Sequence, residues 1–284
     1  IIRAAASALR NEESYIFGPD MGTNEECMAW IRDEIGRSVG LPKELGGIPL
    51  DEIGATGWGI RHATEVALRY QNFDIDGARI VIQGFGSVGK HAARFLSDIG
   101  AKIIAANDSR GTIYNPGGLD IDALFKLKME GHSVADYSDG KRMDQDNIID
   151  IECDIWIPAA RPDVINEVNL HRLKTKMIIE GANIPITHGA EKQLFERGIT
   201  CIPDFIANAG GVICAAMEYQ GETQTSALQT IKEKVRQNTE TVLETSQQKN
   251  IQPREAAIQI AETRIRKAMS TRRWSLFSSA PRFT

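Results

Sequence analysis

The chain has 284 residues, 42% of them apolar and 25% charged, with 33 basic against 38 acidic side chains and a formal net charge of −5. Those values fit a soluble globular protein with core enough for one large α/β domain or two smaller ones, and the acidic balance without a basic block argues against a nucleic-acid surface. No apolar run reaches membrane-spanning length, and four cysteines and five histidines are scattered without C-x-x-C or zinc-type spacing, so reduced thiols in a cytoplasm, no membrane and no metal are expected.

The opening "IIRAAASALR" has neither an initiator methionine nor a signal-peptide pattern, and it reads as the middle of a helix. Residues are therefore expected upstream of it. Next, "GPDMGTNEE" sets Asp20 between a proline that fixes the backbone and a glycine that permits a bend. Thr23 and Glu26 have capping-box spacing ahead of a helix with Met28, Ile31 and Ile35 on one face, which Gly40 and Pro42 should end. A Gly/Pro-rich linker leads through "GATGWG" to a second helix marked by Ile60, Ala63, Ala67 and Tyr70.

"ARIVIQGFGSVGKHAARFLSDIGAKIIAANDS" reads strand, glycine turn, helix, strand. Gly84, Gly86 and Gly89 have G-x-G-x-x-G spacing, the first for the tight turn, the second for close approach to a pyrophosphate and the third for helix–strand packing. Helix amides at Ser87 and Val88, with Phe85 in the turn, complete the candidate phosphate cradle. Asp108 ends the second strand nineteen residues past Gly89, where an acid meets an adenosine ribose. It favours NAD, whereas Ser109 and Arg110 beside it suit the 2′-phosphate of NADP; the balance favours NAD.

"CDIWIPAA", "TKMIIEGAN" and "GITCIPD" are further short strands with helical spacers, which implies a mostly parallel, doubly wound, Rossmann-like sheet covered on both faces. From Thr223 the pattern is helical, with stripes at Leu228, Ile231, Val235 and Val242 and at Ala257, Ile260, Ala261, Ile265 and Ala268. The tail carries Trp274, Phe277 and Phe283 among arginines and is expected to dock on another domain or subunit.

Taken in order, "GPDMGTNEECMAW", "GATGWG", "GFGSVG", "IPAA", "EGANIP" and "PDFIANAGGV" resemble the glutamate/leucine/phenylalanine/valine dehydrogenase family, most closely its glutamate-specific members. The resemblance covers roughly Gly18 to Met269. It implies NAD(P)-dependent, reversible oxidative deamination of L-glutamate to 2-oxoglutarate and ammonia, by hydride transfer from the substrate Cα to nicotinamide C4. It makes Asp20 the proton-handling acid and sets Thr56 at the nicotinamide end. Asn208 falls beside the nicotinamide ribose and substrate, Asn183 in the cofactor cleft, Ala159 and Ala160 along the cofactor ribose, and Val212 in the substrate pocket. A carboxylate within hydrogen-bond reach suits a reaction in which each step after hydride transfer moves a proton. The implied organisation is a remnant of a substrate domain and linker over 1–50, a dinucleotide domain over 51–222 and C-terminal helices over 223–284, in a homohexamer.

Three departures qualify the resemblance. The family's catalytic and carboxylate-gripping lysines lie upstream of the aspartate turn, and none is found in the ten residues before Asn11, which makes the chain a fragment or a non-catalytic dinucleotide-binding protein. Ala215 stands where glutamate-specific members carry a serine, so an aliphatic substrate such as leucine or valine is the alternative to glutamate, because a carboxylate buried without partners is costly. The arginine usual before "ATG" is missing, and Asp163 replaces a common asparagine.

Overall fold

The computed structural model describes residues 1–20, 22–71 and 73–270; the aromatic tail with Trp274, Phe277 and Phe283 lies outside the described residues. Helices α1 (Ile2–Ala8), α2 (Glu25–Ile35) and α3 (Ala55–Leu68) come first, followed by strand β1 (Arg79–Gln83), helix α4 (Ser87–Ser97) and strand β2 (Lys102–Asp108). Then come β3 (Gly111–Tyr114), α5 (Ile121–Met129), β4 (Lys141–Met143), β5 (Ile155–Pro158) and β6 (Met177–Ile179). The chain continues through α6 (His188–Glu196), β7 (Thr200–Ile202), α7 (Asp204–Ala207) and α8 (Gly210–Tyr219) to the long helices α9 (Gln224–Lys249) and α10 (Pro253–Ser270).

The sheet has the order β4-β3-β2-β1-β5-β6-β7. Neighbours from β2 across β1, β5 and β6 to β7 run parallel, while β3 and β4 are antiparallel additions at one edge. The mostly parallel, Rossmann-like sheet read from the sequence is present, and its antiparallel part is confined to one edge, where β3 returns directly from β2 by a tight turn rather than through a helix.

Side-chain alternation splits the strands between two cores. Ile80, Ile82, Ile103, Ile155, Ile157 and Ile179 face α3, α4 and α9. Val81, Ile104, Trp156 and Ile178 face α6 and the 3-10 turns at Gln145–Asp150 and Leu170–Arg172. A third, small cluster of Ala6, Cys27, Met28, Ile31 and Leu41 belongs to the N-terminal helices.

Three local expectations are corrected. The cap of α2 is Asn24, whose side chain accepts from the Cys27 amide, and Thr23 instead closes the Asp20 turn. The helix ends at Gly36, in the left-handed region at φ 80°, not at Gly40. The first C-terminal stripe is buried at Ile231, Val235 and Val242, but the second is buried only at Ala257, half-buried at Ile260 and Ala261, and uncovered beyond, leaving Ile265 58% exposed.

Helix α3 threads between α4 and α8 on small residues. A Cβ at Gly57 would lie 2.7 Å from the Ala92 amide nitrogen, and one at Gly59 would lie 3.2 Å from the Ala207 carbonyl oxygen. One at Gly210 would lie 2.0 Å from the Ala55 carbonyl oxygen. Gly59 of "GATGWG" and Gly210 of "NAGG" are thus the two sides of one close helix crossing, while Gly57 faces α4.

Candidate active site

The strand order reverses at β1, whose neighbours are β2 on one side and β5 on the other. Open α/β sheets receive ligands above such a switch point, at the carboxyl ends of the strands. Gly84 leaves β1 at φ 97°, and a Cβ there would fall 2.6 Å from the Ala160 Cβ, so the loops after β1 and β5 touch. Ala159 extends the join, its amide donating to the Gln83 carbonyl at 2.7 Å. A Cβ at Gly89 would lie 1.9 Å from the Gly84 carbonyl oxygen, which locks α4 onto β1.

Gly86 behaves differently from its two partners. It caps α4, and a Cβ there would meet no described atom within 4 Å. The first turn of a helix leaves its amides without intrahelical partners, so the residues present fit a dinucleotide pyrophosphate. Ser87 is exposed and donates its hydroxyl to Asp51 at 3.1 Å, and Val88 is half-buried. Phe85 does not belong to the cradle as expected: its side chain is buried in the core and its amide donates to the Asn107 carbonyl.

Asp108 also departs from expectation. Its carboxylate accepts from Lys128 Nζ at 2.9 Å, Ser133 Oγ at 2.7 Å, and the amides of Val134 and Arg110 at 3.0 Å each. Burial alone would raise its pKa; the lysine pair and the three hydrogen bonds outweigh burial and bring it down to about 2. With its acceptor positions filled by this chain, Asp108 pins the β2–β3 corner to the segment after α5 and has no lone pair directed to a ribose. Ser109 beside it is exposed.

Beyond β5 the structure brings together residues far apart in sequence. The Asn208 amide donates to the Asn183 Oδ1 at 2.8 Å, joining the loop after β6 to the end of α7. Thr56, at the start of α3, lies against the start of α8, where a Cβ at Gly211 would come 2.9 Å from its hydroxyl. Val212 is 76% exposed and lines no enclosed pocket among the described residues, while Ala215, three residues on in α8, is half-buried against the core.

Asp20 sits on the N-terminal segment with an exposed side chain. Its turn is held by the Thr23 hydroxyl, which accepts from the Asp20 amide at 2.8 Å and donates to its carbonyl at 2.9 Å. Pro19 packs on Gly40, and the amides of Gly40 and Leu41 donate to the Glu218 carboxylate of α8 at 2.8 and 3.1 Å. The turn is therefore tied to the helix that begins just after Asn208.

Sequence reading missed two groups. Asn107, 2% exposed, accepts from the Gly84 amide at 2.7 Å and donates to the Gln145 carbonyl, so it fixes the glycine turn directly. Beside it, a cavity of about 250 Å³ is lined by Gln83, Trp156, Arg161 and Asn166 among others, and the buried Gln83 Oε1 and Trp156 Nε1 have no hydrogen-bond partner among the described residues. The second group is an ion cluster around Arg254, which bonds Glu180, Glu191 and Asp204. Only the "ND" at the end of β2 offered a signal for the first, and contacts spanning 50 to 74 residues gave none for the second.

The sequence model of the Glutamate/Leucine/Phenylalanine/Valine dehydrogenase family matches residues 46–273. The glutamate dehydrogenase of Aeropyrum pernix is 39% identical over 90% of this chain and 66% of its own length. The NADP-specific glutamate dehydrogenase of Saccharolobus shibatae is 39% identical over 71% of this chain and 49% of its own length. The chain thus spans about half to two thirds of the curated relatives it matches. Among solved structures, a hetero-hexameric glutamate dehydrogenase from Thermus thermophilus superposes with a TM-score of 0.84 at 24% identity, covering 94% of this chain and 67% of that one. The glutamate dehydrogenase of Peptoniphilus asaccharolyticus gives 0.77, covering 96% and 71%.

Proposed function

The chain belongs to the glutamate/leucine/phenylalanine/valine dehydrogenase family, and from that premise we propose that the protein of which it forms part deaminates L-glutamate oxidatively with NAD or NADP. The observation that carries this reading is the convergence above the switch point: an open Gly86 at the start of α4, the Gly84–Ala160 join, and the Asn183–Asn208 pair. When bound, the nicotinamide dinucleotide supplies the hydride acceptor. The α4 N-terminus and Ser87 would hold its pyrophosphate, and the cavity beside Gln83 and Asn107 would receive its adenosine end. Thr56, Asn183 and Asn208 orient the nicotinamide end. Asp20 moves protons as water adds to the substrate carbon and ammonia departs.

In this reading residues 1–50 belong with a substrate domain and linker, 51–222 form the dinucleotide domain, and 223–284 are the C-terminal helices and tail, with the cleft closing between the dinucleotide and substrate domains. The filled acceptor positions of Asp108 remove the basis for preferring NAD, and a relative at 39% identity is named NADP-specific. We therefore assign the site to both cofactors. A hexamer in the cytoplasm is the assembly and location we propose; one structural neighbour is named a hetero-hexamer, and no described helix is long and apolar enough to cross a membrane.

Ala215 supports a second reading, an aliphatic amino acid as substrate. A steady-state screen of the full-length protein against L-glutamate, L-leucine and L-valine with each cofactor separates the two. Glutamate-dependent cofactor reduction with release of equimolar ammonia is the expected result. Comparable rates with leucine transfer the reading to aliphatic substrates, and no reduction with any amino acid overturns it.

A further inference from the structure

Arg254 enters the protein interior from the first turn of α10 and touches nothing that the proposed chemistry uses directly. Its Nη2 donates to Glu180 Oε2 at 2.6 Å, its Nε to Glu191 Oε2 at 2.6 Å and its Nη1 to Asp204 Oδ1 at 2.9 Å. The three carboxylates come from three separate elements: Glu180 just past β6, Glu191 in α6 and Asp204 at the start of α7. Their side chains are 0%, 2% and 8% exposed, and that of Arg254 is 13% exposed.

As a stabilising device this is a poor arrangement. One cation faces three acids, and Glu180 Oε1 and Glu191 Oε1 are buried with no hydrogen-bond partner among the described residues. Burial pushes the Glu180 carboxyl up to about 8 although Arg254 opposes the rise. Apolar side chains of similar volume commonly stabilise such an interior better than buried ions do. What the ions supply is direction.

Two of the acids lead straight into the site. The amide of Asp204 donates to Glu180 Oε2 at 3.2 Å, and Asp204 Oδ2 accepts from the Ile184 amide at 2.7 Å. Ile184 is held at φ 43°, a left-handed conformation that a β-branched residue adopts only under constraint. Asn183 precedes it and Asn208 lies one helical turn past Asp204; those two are the bonded pair described above. Asn208 also donates to the Gly181 carbonyl at 3.4 Å, closing the same loop.

We propose that Arg254 is a positioning residue for the dinucleotide site: through Glu180 and Asp204 it fixes the Asn183–Ile184 turn and Asn208 in the arrangement that receives the nicotinamide end. The inference rests on the reading of that cleft given above. It makes the C-terminal helix, which supplies no ligand, the part that sets the geometry of the ligands. Glu191 anchors the opposite side of the guanidinium to α6 and does not reach either loop.

The test compares Arg254→Lys, Asp204→Asn and Glu191→Gln in the full-length protein, with reduced dinucleotide binding followed by its fluorescence and folding followed by thermal unfolding. Lysine keeps the charge but cannot address three acids in three directions. Arg254→Lys and Asp204→Asn are expected to weaken dinucleotide binding about tenfold, and to raise KM for the cofactor more than they lower kcat. Glu191→Gln is expected to change the unfolding temperature while leaving binding within about twofold of the parent. Parent-like binding in a folded Arg254→Lys protein overturns the inference alone, as does an equal loss in Glu191→Gln. No dinucleotide binding by the parent overturns the reading of the cleft and the inference with it.

Discussion

Asp108 joins the β2–β3 corner to the segment after α5 through four donors, Lys128, Ser133 and the amides of Val134 and Arg110. Its place at the end of β2 is legible from spacing, yet its donors Lys128 and Ser133 lie 20 and 25 residues on, and only the fold turns the carboxylate toward them. Asp108→Asn is expected to destabilise the protein by about 2 kcal/mol, since hydrogen bonds to a charged acceptor are lost. The sign with pH follows from its pKa, about 2 in the fold against an ordinary 3.8. The stabilisation is whole above about pH 4, declines as pH falls toward 2, and is missing at every pH in the variant. Denaturation measured across that range checks it. Cofactor preference in the same variant should move by less than about threefold, because the ribose is not its partner. A larger swing toward NADP would return Asp108 to the site. Asp20→Asn, by contrast, should leave dinucleotide affinity unchanged and lower turnover by orders of magnitude, and near-normal turnover would remove its proton-transfer role.

At the scale of elements, the sequence was most readable where packing follows one period. The strands at Ile155–Pro158, Met177–Ile179 and Thr200–Ile202, the glycine turn and the stripe Ile231, Val235 and Val242 all came from local patterning. The edge strand Lys141–Met143 did not, because it is short, largely exposed and has no apolar alternation to betray it. The second C-terminal stripe was visible as a pattern but only its first residues are covered, since a helix's periodicity does not say where its neighbour ends. The glycines of the nucleotide turn separate by mechanism. Gly89→Ala drives a Cβ into the Gly84 carbonyl, backbone against backbone, and is expected to cost about 3 kcal/mol or more. Thermal unfolding of that variant measures it; a parent-like transition would mean that α4 and β1 can part without loss.

For the molecule as a whole, the glycine turn, the switch-point join and the asparagine pair lie at the carboxyl ends of the parallel strands, and the N-terminal segment that carries Asp20 is tied to α8 through Glu218. Val212 is 76% exposed and Ala215 is half-buried against the core, so neither marks an enclosed pocket among the described residues, and substrate choice is less legible than cofactor use. The proposed function therefore requires a dinucleotide seated over Gly86. Fluorescence titration of the full-length protein and of Gly86→Ala with NADH and NADPH tests this most directly, because the added methyl meets open space and leaves the fold intact. An unchanged unfolding temperature and about tenfold or greater loss of affinity for both nucleotides are expected. Equal affinity in the parent and a normally folded variant would contradict it.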